Sequence, residues 1–134
     1  MSDWGVAILG CGSIGEILAN SIDKGNAGKT NLVTLYDIDL DRAKELAEGL
    51  SDRPSVSGDM EEVIENKEVD LVVEAASQEA VRSYAGDILD SNKDMVILSV
   101  GAFADENLLN EVKEVAKRGQ GRICIPSGAI LGLD

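Results

Sequence analysis

The chain contains no histidine, which removes imidazole acid–base chemistry from what it can carry. Cysteine is nearly as scarce. Cys11 and Cys124 are too distant in sequence for a zinc-ligand spacing and too few for a disulfide framework, so no metal site is expected. They read as the reduced thiols of a cytoplasmic protein. Aromatic residues are limited to Trp4, Tyr36, Tyr84 and Phe103, so the core must be built from Val, Ile, Leu and Ala, the usual filling of a parallel sheet covered by helices. Positive charge is short as well. Lys and Arg number 12 against 25 Asp and Glu, a formal net charge of −13 that disfavours nucleic acid and anionic membrane surfaces as partners. No apolar run approaches the ~18 residues of a membrane span. Met1-Ser2-Asp3-Trp4 lacks the basic start of a secretory signal. Neither G-x-S-x-G nor G-K-[ST] occurs, so hydrolase and P-loop readings fall away.

What the chain does contain is concentrated near its start. The apolar run Val6-Ala7-Ile8-Leu9 feeds into Gly10-Cys11-Gly12-Ser13-Ile14-Gly15, a G-x-G-x-x-G sequence. A lone glycine triplet is weak evidence. Here a strand precedes it, a helical pattern and a second strand follow, and an acid, Asp37, stands about twenty residues further on, the context a dinucleotide-binding turn requires. Gly10 allows a tight turn, Gly12 removes the Cβ that would block a pyrophosphate, and Gly15 permits close helix–strand approach. The phosphates would lie on the free N–H groups of the helix start, formed by Cys11, Gly12, Ser13, Ile14 and Gly15, where the macrodipole favours negative charge.

Apolar runs then alternate with helical periodicity. Strands are expected at Val6–Leu9, Leu32–Tyr36, near Val56, at Leu71–Val73, Met95–Val100 and Ile123–Ile125. Between them Ile14, Ile17, Leu18 and Ile22 repeat at helical spacing, as do Val81, Tyr84, Ala85, Ile88 and Leu89, and Leu108, Val112, Val115 and Ala116. Leu40, Ala43, Ala47 and Leu50 mark another helix, and Asp59 with Glu62 forms a capping-box signature. Continuous apolar strands separated by helices imply an α/β, doubly wound parallel sheet of about six strands, the Rossmann fold, in the order 3-2-1-4-5-6. The chain stops just after the last strand. We therefore expect residues 1–134 to be a dinucleotide-binding domain and a substrate-binding catalytic domain to follow residue 134.

The candidate binding residues lie where an open α/β sheet places its ligand, outside the carboxyl ends of the strands. Asp37 ends the second strand, where its carboxylate would accept bonds from the adenosine ribose; the alternative is a cap for the helix beginning near Asp39. A 2′-phosphate would meet a like charge there, and Arg42 is about a helical turn away, so NAD is favoured over NADP as cofactor. Ala75, Ala76 and Ser77 follow the fourth strand, and Ser99, Val100 and Gly101 end the fifth. Small residues there let the backbone approach a ligand. Ser77 could contact it, cap the next helix, or do both. Glu74 is either a general base or, favoured here because no paired acid is evident, a structural acid bonded to backbone N–H groups. No catalytic proton-transfer group stands out.

Four blocks carry a resemblance: the glycine motif, Val73-Glu74-Ala75-Ala76-Ser77-Gln78-Glu79-Ala80-Val81, Leu98-Ser99-Val100-Gly101-Ala102-Phe103-Ala104-Asp105, and Pro126-Ser127-Gly128-Ala129-Ile130. Together, in order and along the whole chain, they resemble the L-aspartate dehydrogenase family, with Leu131 departing from the glycine of the family's ending. The resemblance implies reversible NAD(P)-dependent oxidation of L-aspartate to iminoaspartate, which can feed NAD biosynthesis. It also implies Ala129 near the nicotinamide, a catalytic histidine in the following domain, and a homodimer assembled largely through that domain. Two other readings stay open: another two-domain amino-acid-pathway oxidoreductase, related to homoserine dehydrogenase or dihydrodipicolinate reductase, and a non-catalytic NAD(H)-sensing module.

Overall fold

A computed structural model describes residues 3–99, 106–118 and 121–125, apart from the side chains of Leu108 and Leu109. Its elements alternate strictly: β1 (Trp4–Leu9), α1 (Ser13–Asp23), β2 (Thr30–Tyr36), α2 (Leu40–Glu48), β3 (Ser55–Val56), α3 (Met60–Glu65), β4 (Leu71–Glu74), α4 (Gln78–Asp90), β5 (Asp94–Ile97), α5 (Glu106–Arg118) and β6 (Ile123–Cys124). The six strands form one sheet in the order β3-β2-β1-β4-β5-β6, with every pairing parallel. This is the doubly wound sheet that the sequence implies. The order reverses between β1 and β4, which opens a crevice at their carboxyl ends.

Each face has its own core. Val6, Ile8, Leu32 and Leu35 pack against Ala19 of α1 and Ala43 and Ala47 of α2 on one side. Ala7, Leu9, Val72, Met95 and Ile97 pack against Val63 of α3, Val81, Ala85, Ile88 and Leu89 of α4, and Val112 of α5 on the other. Alternate residues of one strand therefore serve opposite cores, and a slip of one residue would exchange them. At the amino-terminal side of the sheet, buried Lys93 donates from Nζ to the carbonyls of Asn66 and Val69, at 2.7 and 2.9 Å. Burial pushes its pKa down, and Asp70 opposes that shift. Among the described residues, no buried side-chain N or O lacks a hydrogen-bond partner.

Two expectations need correction. The fifth strand ends at Ile97; Leu98 and Ser99 leave it, and Val100 lies outside the described residues. The reason is visible at Ser99, whose N–H turns to the Glu74 side chain in place of a ladder partner. In α1, Ile14 and Ile17 do not face the core. They are 55% and 68% exposed, while Gly15 and Ala19 are the buried residues. Small residues win that face because the helix must come close to the turn that precedes it. Among the described residues, no helix is long and apolar enough to cross a membrane.

Candidate dinucleotide site

The glycine turn shows three different backbone requirements. Gly10 has φ +102°, and a Cβ on it would fall 2.7 Å from the Ala75 carbonyl oxygen, so both conformation and space demand glycine. A Cβ on Gly15 would lie 2.0 Å from the Gly10 carbonyl oxygen. Gly12 is different. Its φ of −79° suits any residue, and the nearest atom to a Cβ there is Nη1 of Arg42 at 3.8 Å. Among the described residues, nothing else closes that space.

Helix capping singles out the same place. Of the four helices with described starts, α2, α3 and α4 are capped by the side chains of Asp39, Asp59 and Ser77. The start of α1, at Gly12, has no side-chain cap. Its first-turn N–H groups thus keep their capacity for an external acceptor, and the helix dipole favours an anionic one. An open Cβ position beside an uncapped helix start fits a pyrophosphate.

Asp37 stands next to this turn. It is buried and accepts the Cys11 N–H on Oδ2 at 2.7 Å and the Asp39 N–H on Oδ1 at 2.8 Å. The helix cap is Asp39, not Asp37. Each Asp37 oxygen uses one acceptor direction internally and keeps another, so a pair of hydroxyls could still be received. The two backbone bonds hold the carboxylate in place beforehand. Asp37 also lines a cleft of ≈ 200 Å³ with Gly10, Tyr36, Ile38, Ala76, Ser77, Ala80 and Tyr84. Both tyrosines of the chain thus meet here, from β2 and from α4. Sequence periodicity absorbed them into a strand and a helix; their scarcity elsewhere was the available signal. Burial, with Tyr84, Asp59 and Asp37 nearby, pushes the Tyr36 phenol above its ordinary pKa, so it stays neutral at physiological pH.

The remaining expected residues divide by position. Cys11, Gly12, Ser13, Ile14 and Gly15 form the turn and first helical residues. Ala75 closes against Gly10, while Ala76 and Ser77 sit on the cleft wall. Ser77 Oγ accepts the Ala80 N–H at 3.1 Å, so it caps α4 while facing the cleft. Glu74 is wholly buried and bonded to the N–H groups of Ala76 and Ser99, the geometry of the structural alternative. Val100, Gly101 and Ala129 lie outside the described residues. No group of metal-ligating side chains occurs among the described residues.

Arg42 was undervalued by sequence distance. One turn into α2, its guanidinium lies beside Gly12 and also acts on Cys11. Burial and the Asp37 carboxylate push the Cys11 thiol up to about 12, with Arg42 partly opposing them. Cys124 is exposed. Alkylation of the native protein at about pH 8.5, read by peptide mass mapping, should therefore label Cys124 and spare Cys11. Equal labelling would show that the turn opens readily.

Comparison with known proteins agrees with this geometry. The family model described as homoserine dehydrogenase, NAD binding domain, matches residues 10–126. The L-aspartate dehydrogenase of Methanothermobacter thermautotrophicus is 42% identical over 129 residues, 96% of this chain and 48% of that protein. The L-aspartate dehydrogenase of Nitrosopumilus maritimus is 37% identical over 96% of this chain and 47% of its own. The chain thus spans about half the length of the curated relatives it matches. Among solved structures, Lactobacillus casei myo-inositol dehydrogenase, in complex with NAD(H) and myo-inositol, superposes with a TM-score of 0.81 at 14% identity, over 92% of this chain and 36% of that one, a likeness of fold.

Proposed function

The chain belongs to the homoserine dehydrogenase NAD-binding domain family, and from that premise we propose that it is the dinucleotide-binding domain of an L-aspartate dehydrogenase. The observation that carries the reading is the open Gly12 position at the uncapped start of α1, with Asp37 and the tyrosine cleft beside it. The pyrophosphate rests on the N–H groups of the α1 start. Asp37 receives the ribose hydroxyls, and the adenine enters between Tyr36 and Tyr84. Ala76, Ser77 and Ser99 flank the remainder of the cofactor, and the family resemblance extends that role to Val100, Gly101 and Ala129. When bound, the nicotinamide accepts the hydride from the substrate carbon.

The chain matches about half the length of its aspartate dehydrogenase relatives, and the proton-transfer group and most substrate contacts are assigned to the part of the whole protein outside the matched half. The whole protein acts on a small molecule, L-aspartate, as a cytoplasmic homodimer without nucleic-acid or membrane partners. The identity with aspartate dehydrogenases supports the substrate. The family description supports a second reading, a homoserine dehydrogenase-like enzyme.

Calorimetric titration tests the cofactor half. NAD should bind more tightly than NADP, because a 2′-phosphate beside Asp37 meets repulsion and forfeits hydroxyl bonds. The nearby Arg42 cation keeps the preference modest, about tenfold, and Arg42→Ala should widen it. Equal or tighter NADP binding would remove Asp37 from the ribose. NADH formation by the full-length gene product, with aspartate and then homoserine, tests the substrate half. Activity with homoserine alone would transfer the assignment to the second reading, and inactivity with both would favour an NAD(H)-sensing module.

A further inference from the structure

Glu74 ends β4 with a wholly buried carboxylate that, among the described residues, receives three hydrogen bonds from two separate turns. Oε2 accepts the Ala76 N–H at 2.8 Å. Oε1 accepts both the N–H and the hydroxyl of Ser99, at 3.0 and 2.8 Å. Ala76 belongs to the wall of the cleft and Ser99 to the turn after β5, so one side chain ties together the carboxyl ends of two neighbouring strands. The tie continues to the glycine turn. The Ala75 carbonyl and Ala76 Cα sit where a Cβ on Gly10 would be, at 2.7 and 2.9 Å.

A buried carboxyl is costly unless its acceptors are used. Here, among the described residues, they are used on two backbone N–H groups and one hydroxyl of loop residues, beside the place where the strand order reverses, and not on a core partner. From this we infer that Glu74 is a positioning residue: it fixes the turn after β4 against the turn after β5, and so sets the nicotinamide end of the cleft relative to the adenosine end. The inference rests on the dinucleotide reading above. The adenosine end is built from Tyr36, Asp37 and Tyr84, and the carboxyl meets that wall through the Ala76 N–H, whereas the far half of the crevice runs over β4 and β5, where it holds Ser99. No substitution preserves the tie. Aspartate is one methylene short, and either orientation of a glutamine amide turns an NH₂ toward a backbone N–H.

The test compares NADH with AMP, a ligand confined to the adenosine end, by titration against wild type, Glu74→Gln, Glu74→Asp and Ser99→Ala, with thermal melting recorded for each. Glu74→Gln should weaken NADH about tenfold or more and AMP less than about threefold, since AMP keeps Tyr36, Asp37 and Tyr84 and only NADH must span both turns. Ser99→Ala removes one of the three bonds and keeps the backbone pair. It should show the same split at about threefold; because Ser99 itself flanks the cofactor, Glu74→Asp, which shortens the tie and removes no proposed cofactor contact, answers the question with the same split if the glutamine variant does not fold. Equal losses for both ligands would mean that Glu74 merely holds the fold, and unchanged NADH affinity would mean that the tie does not reach the cofactor. Either result overturns the inference. A wild-type protein that binds AMP but not NADH also overturns it, whereas one that binds neither removes the dinucleotide reading itself.

Discussion

Gly12→Val should lower NAD affinity by at least about 100-fold, equivalent to about 2.8 kcal/mol, while the thermal transition stays within a degree or two of wild type. The expectation depends on two facts that normally pull in opposite directions at a glycine. The backbone at Gly12 is in an ordinary extended region, so a branched residue meets no penalty from φ, and among the described residues no neighbouring atom comes closer than 3.8 Å to its Cβ. A valine would therefore be tolerated by the apoprotein. The same methyl groups would occupy the space above the first-turn N–H groups of α1, where a pyrophosphate has to make its closest approach. Titration with NAD and a melting curve on one preparation check both halves. Retained affinity would detach the glycine turn from the site. Lost affinity with a collapsed melting temperature would mean that the turn is structural first.

Gly15 and Gly86 make a paired prediction of opposite sign. Both lie inside helices, α1 and α4, where replacing glycine by alanine ordinarily gains about 0.8–1 kcal/mol through backbone entropy. At Gly86 nothing lies within 4 Å of the added methyl, so the entropic gain should appear almost undiminished. At Gly15 the methyl would sit 2.0 Å from the Gly10 carbonyl oxygen, which is main chain and cannot rotate aside. Overpacking of that kind costs about 1–3 kcal/mol or more and exceeds the gain. We expect Gly15→Ala to lose about 2–3 kcal/mol, lowering Tm by about 10 °C, and Gly86→Ala to raise it by a few degrees. Denaturant melts of the two variants decide it. A stabilised Gly15→Ala protein would mean that α1 stands further from its turn than described.

These glycines also show where the sequence was legible. Strand order and the position of the turn follow from local signals, the apolar runs and the spacing of Gly10, Gly12 and Gly15, and those signals do not depend on distant contacts. The rotation of α1 was not legible in the same way. Counting apolar residues points Ile14 and Ile17 inward, but the Gly15–Gly10 contact fixes the helix about its axis and leaves both isoleucines in solvent. Candidate residues that a motif places on one element, Cys11 to Gly15 and Asp37, could be read from the sequence, and the structure sets them side by side. Others were hidden when two elements had to meet. The approach of Arg42 to Gly12, the pairing of Tyr36 with Tyr84 across the cleft, and the Asp37 bond to Cys11 each depend on how helices settle on the sheet.

The outermost strands, Ser55–Val56 and Ile123–Cys124, are each only two residues long. An open sheet invites foreign strands to pair with its rims, and the invitation grows with the length of unpaired main chain on offer. Here each rim strand gives an incoming strand only two residues to template on, although β2 meets β3 only at Thr34 and Leu35 and its first residues keep an outer edge without a strand partner. The net charge of −13 adds mutual repulsion between copies. Short rim strands and like charge thus both work against fibrous growth, and lengthening either rim strand would weaken that effect before it affected the crevice.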